Sequence, residues 1–306
     1  MILAVASGKG GTGKTTIAVS LALSLAGGEG PAPMVVDCDV EEPNAALFLR
    51  PEILEREEVG QLIPEIDAAK CNYCGECARV CQYNAIAVVA ERVLVFPELC
   101  HGCGSCALNC PQGAIREVLN VMGVMERGVA SGIDFAQGRL NVGEPMAVPI
   151  IRALKRWVLP PRPPTSEKAS TQDRVHILDA PPGNACPVVE TMRGADFVLM
   201  VTEPTPFGLH DLRLAVDVAR GELGLPVGVV INRDGIGDQG VEAFCKAEEI
   251  PILMRIPLDR RIAEAYSEGL PLIEVLPSWR EKLRVLYGQI LEIVEQRVQR
   301  KVGEGT

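Results

Sequence analysis

At 306 residues, 47% of them hydrophobic, the chain is long enough to bury one large α/β core and a small inserted unit. A net charge of -10 excludes the overall basic character that neutralises nucleic-acid phosphates, and no run of 18 apolar residues reads as a membrane span. The opening stretch Met1 to Gly11 lacks a basic segment followed by a long apolar run, so a cytoplasmic protein that binds no nucleic acid is expected.

The first predicted element is an apolar strand, Ile2 to Ala6. It runs into Gly8-Lys9-Gly10-Gly11-Thr12-Gly13-Lys14-Thr15-Thr16 and then an apolar helix pattern, Ile17 to Leu25. A G-x4-G-K-[ST] match between a strand and a helix is the context a phosphate-binding loop requires. The glycines let backbone amides approach the phosphates, and the helix N-terminus adds partial positive charge. Lys14 is expected at the β- and γ-phosphates and Thr15 on Mg2+. The extra lysine, Lys9, resembles the deviant signature of the ParA/MinD/Mrp/nitrogenase iron protein class, a resemblance that implies a nucleotide-dependent dimer in which Lys9 reaches the partner's nucleotide. The next strand, Met34 to Val36, leads to Asp37-Cys38-Asp39 and Pro43-Asn44, similar to switch I of MinD-like ATPases. By that resemblance Asp39 orients the attacking water and supports Mg2+.

The middle of the chain carries a different pattern. Cys71, Cys74, Cys77 and Cys81 follow C-x2-C-x2-C-x3-C, and Cys100, Cys103, Cys106 and Cys110 repeat it at a 29-residue offset, using eight of the 11 cysteines. In such runs three thiolates hold one 4Fe-4S cluster and the fourth reaches the neighbouring one. The expected pairing is crossed: Cys71, Cys74, Cys77 and Cys110 for one cluster, and Cys100, Cys103, Cys106 and Cys81 for the other. Disulfides suit small secreted domains, and zinc would use four thiolates per ion without the third C-x2-C step. The segment resembles a bacterial two-cluster ferredoxin, except that Gln82 stands where a proline usually follows. Residues 61–117 are expected to form this α+β insert, and 1–60 with 118–306 the ATPase domain.

Beyond the insert, Gly138 to Glu144 reads as a strand and turn, Val148 to Trp157 as a helix, and Leu159 to Lys168 as a proline-rich linker. Val175 to Gly183 looks like a Walker B strand and switch II, which places Asp179 on Mg2+ and Gly183 near the γ-phosphate. Phe197 to Thr202 and Val227 to Ile231 read as further strands. After the second, Asn232 stands where the resembling family contacts adenine. Ile256 to Asp259 fits a following strand and loop. Strands alternating with helices predict a mostly parallel sheet covered on both faces.

Of the remaining cysteines, Cys38 is expected in the core and Cys245 in a helix. Cys186 follows Gly183 closely, where a nitrogenase iron protein-like dimer would bring two thiolates near one another at a bridging site. Leu283, Leu286, Ile290, Ile293, Val294 and Val298 recur at helical spacing with interspersed acids, the pattern of a helix packed on its own domain rather than on a membrane. Taken together the motifs resemble MinD superfamily ATPases with an inserted ferredoxin domain. This implies ATP hydrolysis coupled to assembly or transfer of an iron-sulfur or related metal cofactor, or to electron delivery. The dimer would be of two copies or of a copy and a paralogue, serving a metal-cofactor or electron-acceptor protein. The alternative is a MinD-like positioning or cell-division switch with redox-sensing clusters; it predicts nucleotide-dependent surface binding instead of an ATP-dependent change in cluster potential.

Overall fold

A computed structural model describes residues 1–28, 31–161 and 174–303. The expected linker therefore lies mostly outside the described residues. The chain begins with β1 (Ile2–Ala6), α1 (Lys14–Leu25), β2 (Met34–Asp37) and α2 (Ala45–Leu49). A long β3 (Glu52–Ile66) leads to a small unit containing α3 (Glu76–Val80), β4 (Ile86–Val89), β5 (Arg92–Val95) and α4 (Ser105–Leu108). The chain returns through β6 (Ile115–Ala130), β7 (Ile133–Leu140) and α5 (Val148–Val158). It then alternates as β8 (His176–Asp179), α6 (Cys186–Met192), β9 (Phe197–Thr202), α7 (Pro206–Val216), β10 (Val227–Asp234), α8 (Gly240–Ala247) and β11 (Ile252–Pro257). Three helices close it: α9 (Arg260–Ser267), α10 (Leu272–Val275) and α11 (Trp279–Gly303).

Nine strands form one sheet in the order β11-β10-β9-β1-β8-β2-β7-β6-β3. Pairing is parallel from β11 to β7 and antiparallel for β6 and β3. Central strands such as MVVD and FVLMVT are buried at every position, as a parallel sheet covered on both faces demands. One face carries α5, α6, α7 and α8 over Ala4, Val36, Leu178 and Met200. The other carries α1, α2, α10 and α11 over Leu3, Val35, Ile177 and Leu199.

Helix α1 is buried on all sides from Lys14 to Ser24 because the sheet covers one side and α11 the other. Leu283, Leu286 and Ile290 of α11 are buried there, so the C-terminal helix does pack on its own domain. Arg280 and Arg284 donate to the carbonyls of Leu23 and Ser24, satisfying acceptors that the last turn of α1 leaves open. Among the described residues no helix is long and apolar enough to cross a membrane.

The strand read from Gly138 begins earlier, at Ile133, and pairs with β6 in a hairpin. Gly138 is near its end because a Cβ there would stand 2.7 Å from Val40 and 2.9 Å from Ile150. Both long strands cross the expected insert boundaries. β3 and β6 pair from Glu52↔Val129 to Ile66↔Ile115, but β7 accompanies β6 only as far as Gly123. From Gly60↔Val121 outward the two strands continue as a free ribbon that carries the cysteine-bearing unit at its tip. A register shift falls between Val59 and Gly60, where the ribbon leaves the sheet, and a Cβ on Gly60 would meet the Asn120 carbonyl oxygen at 1.8 Å. A bulge that bends the strand needs glycine at this spot.

Within the tip unit the duplication is written into the backbone. Left-handed φ values occur at Tyr73 (56°), Gly75 (80°) and Asn84 (53°), and again at Gly102 (61°), Gly104 (72°) and Gly113 (56°). These positions match at the same offset as the sequence repeat. Glycine adopts that conformation without strain, asparagine tolerates it, and tyrosine does so only rarely, so the chain trace rather than the residue type is what repeats.

Candidate functional site

The glycine-rich loop from Gly8 to Gly13, the expected phosphate-binding loop, follows β1 and wraps into α1, at the C-terminal edge of the parallel strands where α/β sheets place their ligands. Its shape depends on absent side chains. A Cβ on Gly8 would lie 2.4 Å from that of Asp211, and Gly13, at φ 95°, opens α1 with Asn232 against it. Thr12 is buried and its Oγ1 has no hydrogen-bond partner.

Adjacent strands β2 and β8 end in register, Asp37 beside Asp179. The Thr15 hydroxyl donates to Oδ2 of Asp179 at 2.5 Å, while the other oxygen, Oδ1, is buried without a partner. Asp37 accepts from the amides of Asp39, Asn44 and Ala45, so it builds the loop that presents Asp39 and is not free for a ligand. Burial raises Asp37 and Asp179, each resisting a second charge nearby, and lifts Asp39 to about 6 against the pull of Lys14. Burial lowers the Lys14 ammonium, opposed by the charges of Asp179, Asp39 and Asp37. An orphaned carboxylate oxygen beside a threonine hydroxyl and further acids fits a hard cation that keeps oxygen ligands.

A pH dependence follows. A carboxyl raised on folding binds its proton more tightly folded than unfolded, so its contribution is full below the ordinary value near 4 and is lost as pH rises through about 6 for Asp39. Without metal or nucleotide, thermal stability should therefore decline from about pH 5 to 8. Added MgADP should restore it increasingly over that range, because the cation needs ionised carboxylates. Scanning calorimetry with and without MgADP checks this; greater stabilisation at pH 5 than at pH 8 would remove these aspartates as the Mg2+ site.

Of the other expected contacts, Gly183 donates its amide to the Ser7 carbonyl and has φ 97°. Asn232 donates Nδ2 to the Thr12 carbonyl at 2.7 Å and accepts from the Arg233 amide, which ties β10 to the phosphate loop. Lys9 extends to Glu203 of its own chain at 2.8 Å, and Arg233 pairs with the same carboxylate. Neither Glu203 nor Arg233 was marked by a motif; the signal available was an acid directly after β9 and a base near the end of β10. Cys186 is exposed at the start of α6, whereas Cys38 and Cys245 are buried, as expected.

The eight repeated cysteines divide into two hollows. Cys71, Cys74, Cys77 and Cys110 line one with Ile66, Val88 and Ile115. Cys81, Cys100, Cys103 and Cys106 line the other with Leu62, Ile86 and Glu117. Backbone amides point at corresponding sulfurs in each half: Tyr73 to Cys71 and Gly102 to Cys100 at 3.4 Å, Ala85 to Cys81 and Ala114 to Cys110 at 3.3 Å. Burial raises the corresponding thiols Cys77 and Cys106. Among the described residues no three or more His, Cys, Asp or Glu side chains gather tightly enough to hold one metal ion.

Comparison with known proteins places this geometry. The chain is 32% identical over 271 residues to an uncharacterized protein of Methanocaldococcus jannaschii, covering 88% of this chain and 90% of that one. It is 25% identical over 135 residues to an iron-sulfur cluster carrier protein of the same organism, covering 39% of this chain and 46% of that one. The fold superposes on the septum site-determining protein MinD complexed with Mg-ADP from Pyrococcus horikoshii, with TM-score 0.55, 18% identity, and 94% and 95% of the two chains covered. The family model for the CobQ/CobB/MinD/ParA nucleotide-binding domain matches residues 3–272, and the chain belongs to that family.

Proposed function

We propose that the protein is a cytoplasmic ATP hydrolase with two 4Fe-4S clusters in a ferredoxin-like unit. It uses nucleotide state to control assembly or transfer of an iron-sulfur or related metal cofactor, or delivery of electrons to such a process. The observation that carries the reading is the division of the eight thiols: each hollow takes three from one run and one from the other, the crossed set that a two-cluster protein needs. The third C-x2-C step in each run suits a polynuclear cluster better than a single zinc ion, which does not need it. The amides aimed at the sulfurs are the outer contacts that tune such centres. Partial similarity to iron-sulfur cluster carrier proteins points the same way.

On this reading Lys14 and the loop amides from Gly8 to Thr16 hold the phosphates, and Thr15 and Asp179 hold Mg2+. Asp39 aligns water for in-line attack, and Gly183 senses the γ-phosphate. Asn232 is assigned to the base through its second amide hydrogen. Lys9 is assigned to the nucleotide of a second copy or paralogue, and Cys186, exposed on the switch II side, to a site shared between two copies. The clusters supply one-electron transfer at low potential.

Anaerobic iron and sulfide analysis with EPR of the dithionite-reduced protein, with and without MgATP, tests the reading. About eight irons per chain are expected, with an interacting two-cluster signal that changes on adding nucleotide. A signal indifferent to MgATP would transfer support to the positioning switch, and zinc in place of iron would overturn the cluster assignment.

A further inference from the structure

Glu203 follows β9 at the edge of the phosphate-binding loop, and its side chain is only 6% exposed. Its backbone is fixed from several sides. Its carbonyl accepts from the Thr205 amide, a Cβ on Gly208 would stand 2.2 Å from that oxygen, and the neighbouring Thr202 hydroxyl donates to the Gly208 carbonyl. A carboxylate held this rigidly in a buried place requires a cation, and two supply it. Lys9 donates to Oε2 at 2.8 Å, and Arg233 donates through Nη1 to Oε1.

The two cations differ in what else holds them. Arg233 stands in the left-handed region at φ 55°, donates Nη2 to the Gly11 carbonyl at 3.3 Å, and has its amide bound by Asn232. Lys9 is tethered through its flexible side chain, which is 34% exposed, and Glu203 is the partner that side chain has in the structure. If Lys9 left, Glu203 would keep Arg233 and would not become an unpaired buried charge, the outcome that makes breaking such pairs costly. If Arg233 were lost, the carboxylate would rely on Lys9 alone.

We propose that Glu203 is a positioning residue that holds Lys9 of its own chain in reserve, and that Arg233 makes this hold releasable by remaining behind as the counter-ion. Lys9 is then withheld from a second copy's nucleotide until the phosphates there compete for it. The assignment rests on the reading above in which Lys9 acts across a dimer, and it adds what restrains Lys9 beforehand.

Steady-state ATP hydrolysis against protein concentration tests it, using wild type, Lys9→Ala, Glu203→Gln, Arg233→Ala and the Glu203→Gln/Arg233→Ala double variant. Fluorescent ADP binding at the lowest concentration reports whether the loop itself is disturbed. Glu203→Gln should lower the protein concentration at half-maximal specific activity by about two- to fivefold, the scale of one partly exposed ion pair. Arg233→Ala should raise it by a similar factor, and the double variant should follow Glu203→Gln, because the effect of Arg233 on Lys9 passes through the carboxylate, while ADP binding reports any effect through its bond to the Gly11 carbonyl. Should Glu203→Gln melt early, Glu203→Asp keeps the charge for Arg233 while withdrawing it from Lys9, and is expected to shift the midpoint the same way. An unchanged or raised midpoint in Glu203→Gln or Glu203→Asp, with ADP affinity intact, overturns the proposal, as does additivity in the double variant. Wild-type activity in Lys9→Ala would overturn the dimer reading along with it, whereas an inactive Lys9→Ala beside an unshifted Glu203→Gln would remove the Glu203 role alone.

Discussion

Lys14→Ala is expected to lower ATP hydrolysis by about 10²–10³-fold, the loss that follows removal of one fixed charge-stabilising donor from a transition state. The ammonium is buried and lies close enough to Asp179, Asp39 and Asp37 for all three to act on its proton affinity. Its removal would leave those carboxylates less compensated, so two effects combine: the developing phosphoryl charge loses a donor, and the ionised form that binds Mg2+ becomes harder to reach. Lys14→Arg keeps the charge but has to fit a larger planar group into the same space, so it should recover little activity. Phosphate release at saturating MgATP is the measurement, and more than a tenth of wild-type turnover in Lys14→Ala would exclude this residue from the chemistry.

The second large effect concerns the crossed thiol sets. After anaerobic reconstitution, Cys77→Ser/Cys110→Ser removes two thiols from one hollow, so iron should fall from about eight to about four per chain while the other centre survives. Cys77→Ser/Cys81→Ser, though both residues belong to one sequence run, removes a thiol from each hollow and should fall below about four. Iron and sulfide content read the difference directly. The opposite ranking would mean that each run serves its own centre.

Both sites are legible in sequence because their chemistry imposes spacing. The run from Gly8 to Thr16 lies between β1 and α1, the setting expected for a phosphate-binding loop, and Asp179 ends an apolar strand as expected. The repeated cysteines likewise fix a backbone trace, down to the left-handed positions. What the sequence did not convey is the ribbon. EILEREEV alternates poorly and is largely exposed, because it lies at the outer edge of the sheet where charged side chains protect an unpaired strand and no core imposes a pattern. Boundaries at 60 and 117 follow the cysteine composition, whereas pairing of β3 with β6 runs unbroken across both positions apart from the shift at Gly60. Glu203 and Arg233 were silent for another reason. An acid or base at the end of a strand is common, and only the pairing of β9 with β1, and of β10 with β9, brings these two to Lys9.

The ribbon also sets a mechanical scale. Six residue steps separate Gly60 from the tip at Ile66, a reach of roughly 20 Å at about 3.3 Å per residue. A rotation of roughly 10° about the bend would sweep the tip through roughly 3.5 Å, while the strands beside Asp37 and Asp179 scarcely shift. The two hollows lie at different radii on this arm: Leu62 and Pro64 border the one with Cys81, and Ile66 borders the one with Cys71. A stroke that begins among aspartates would therefore be magnified along the lever, moving the outer centre farther than the inner one and changing its distance to whatever protein docks there.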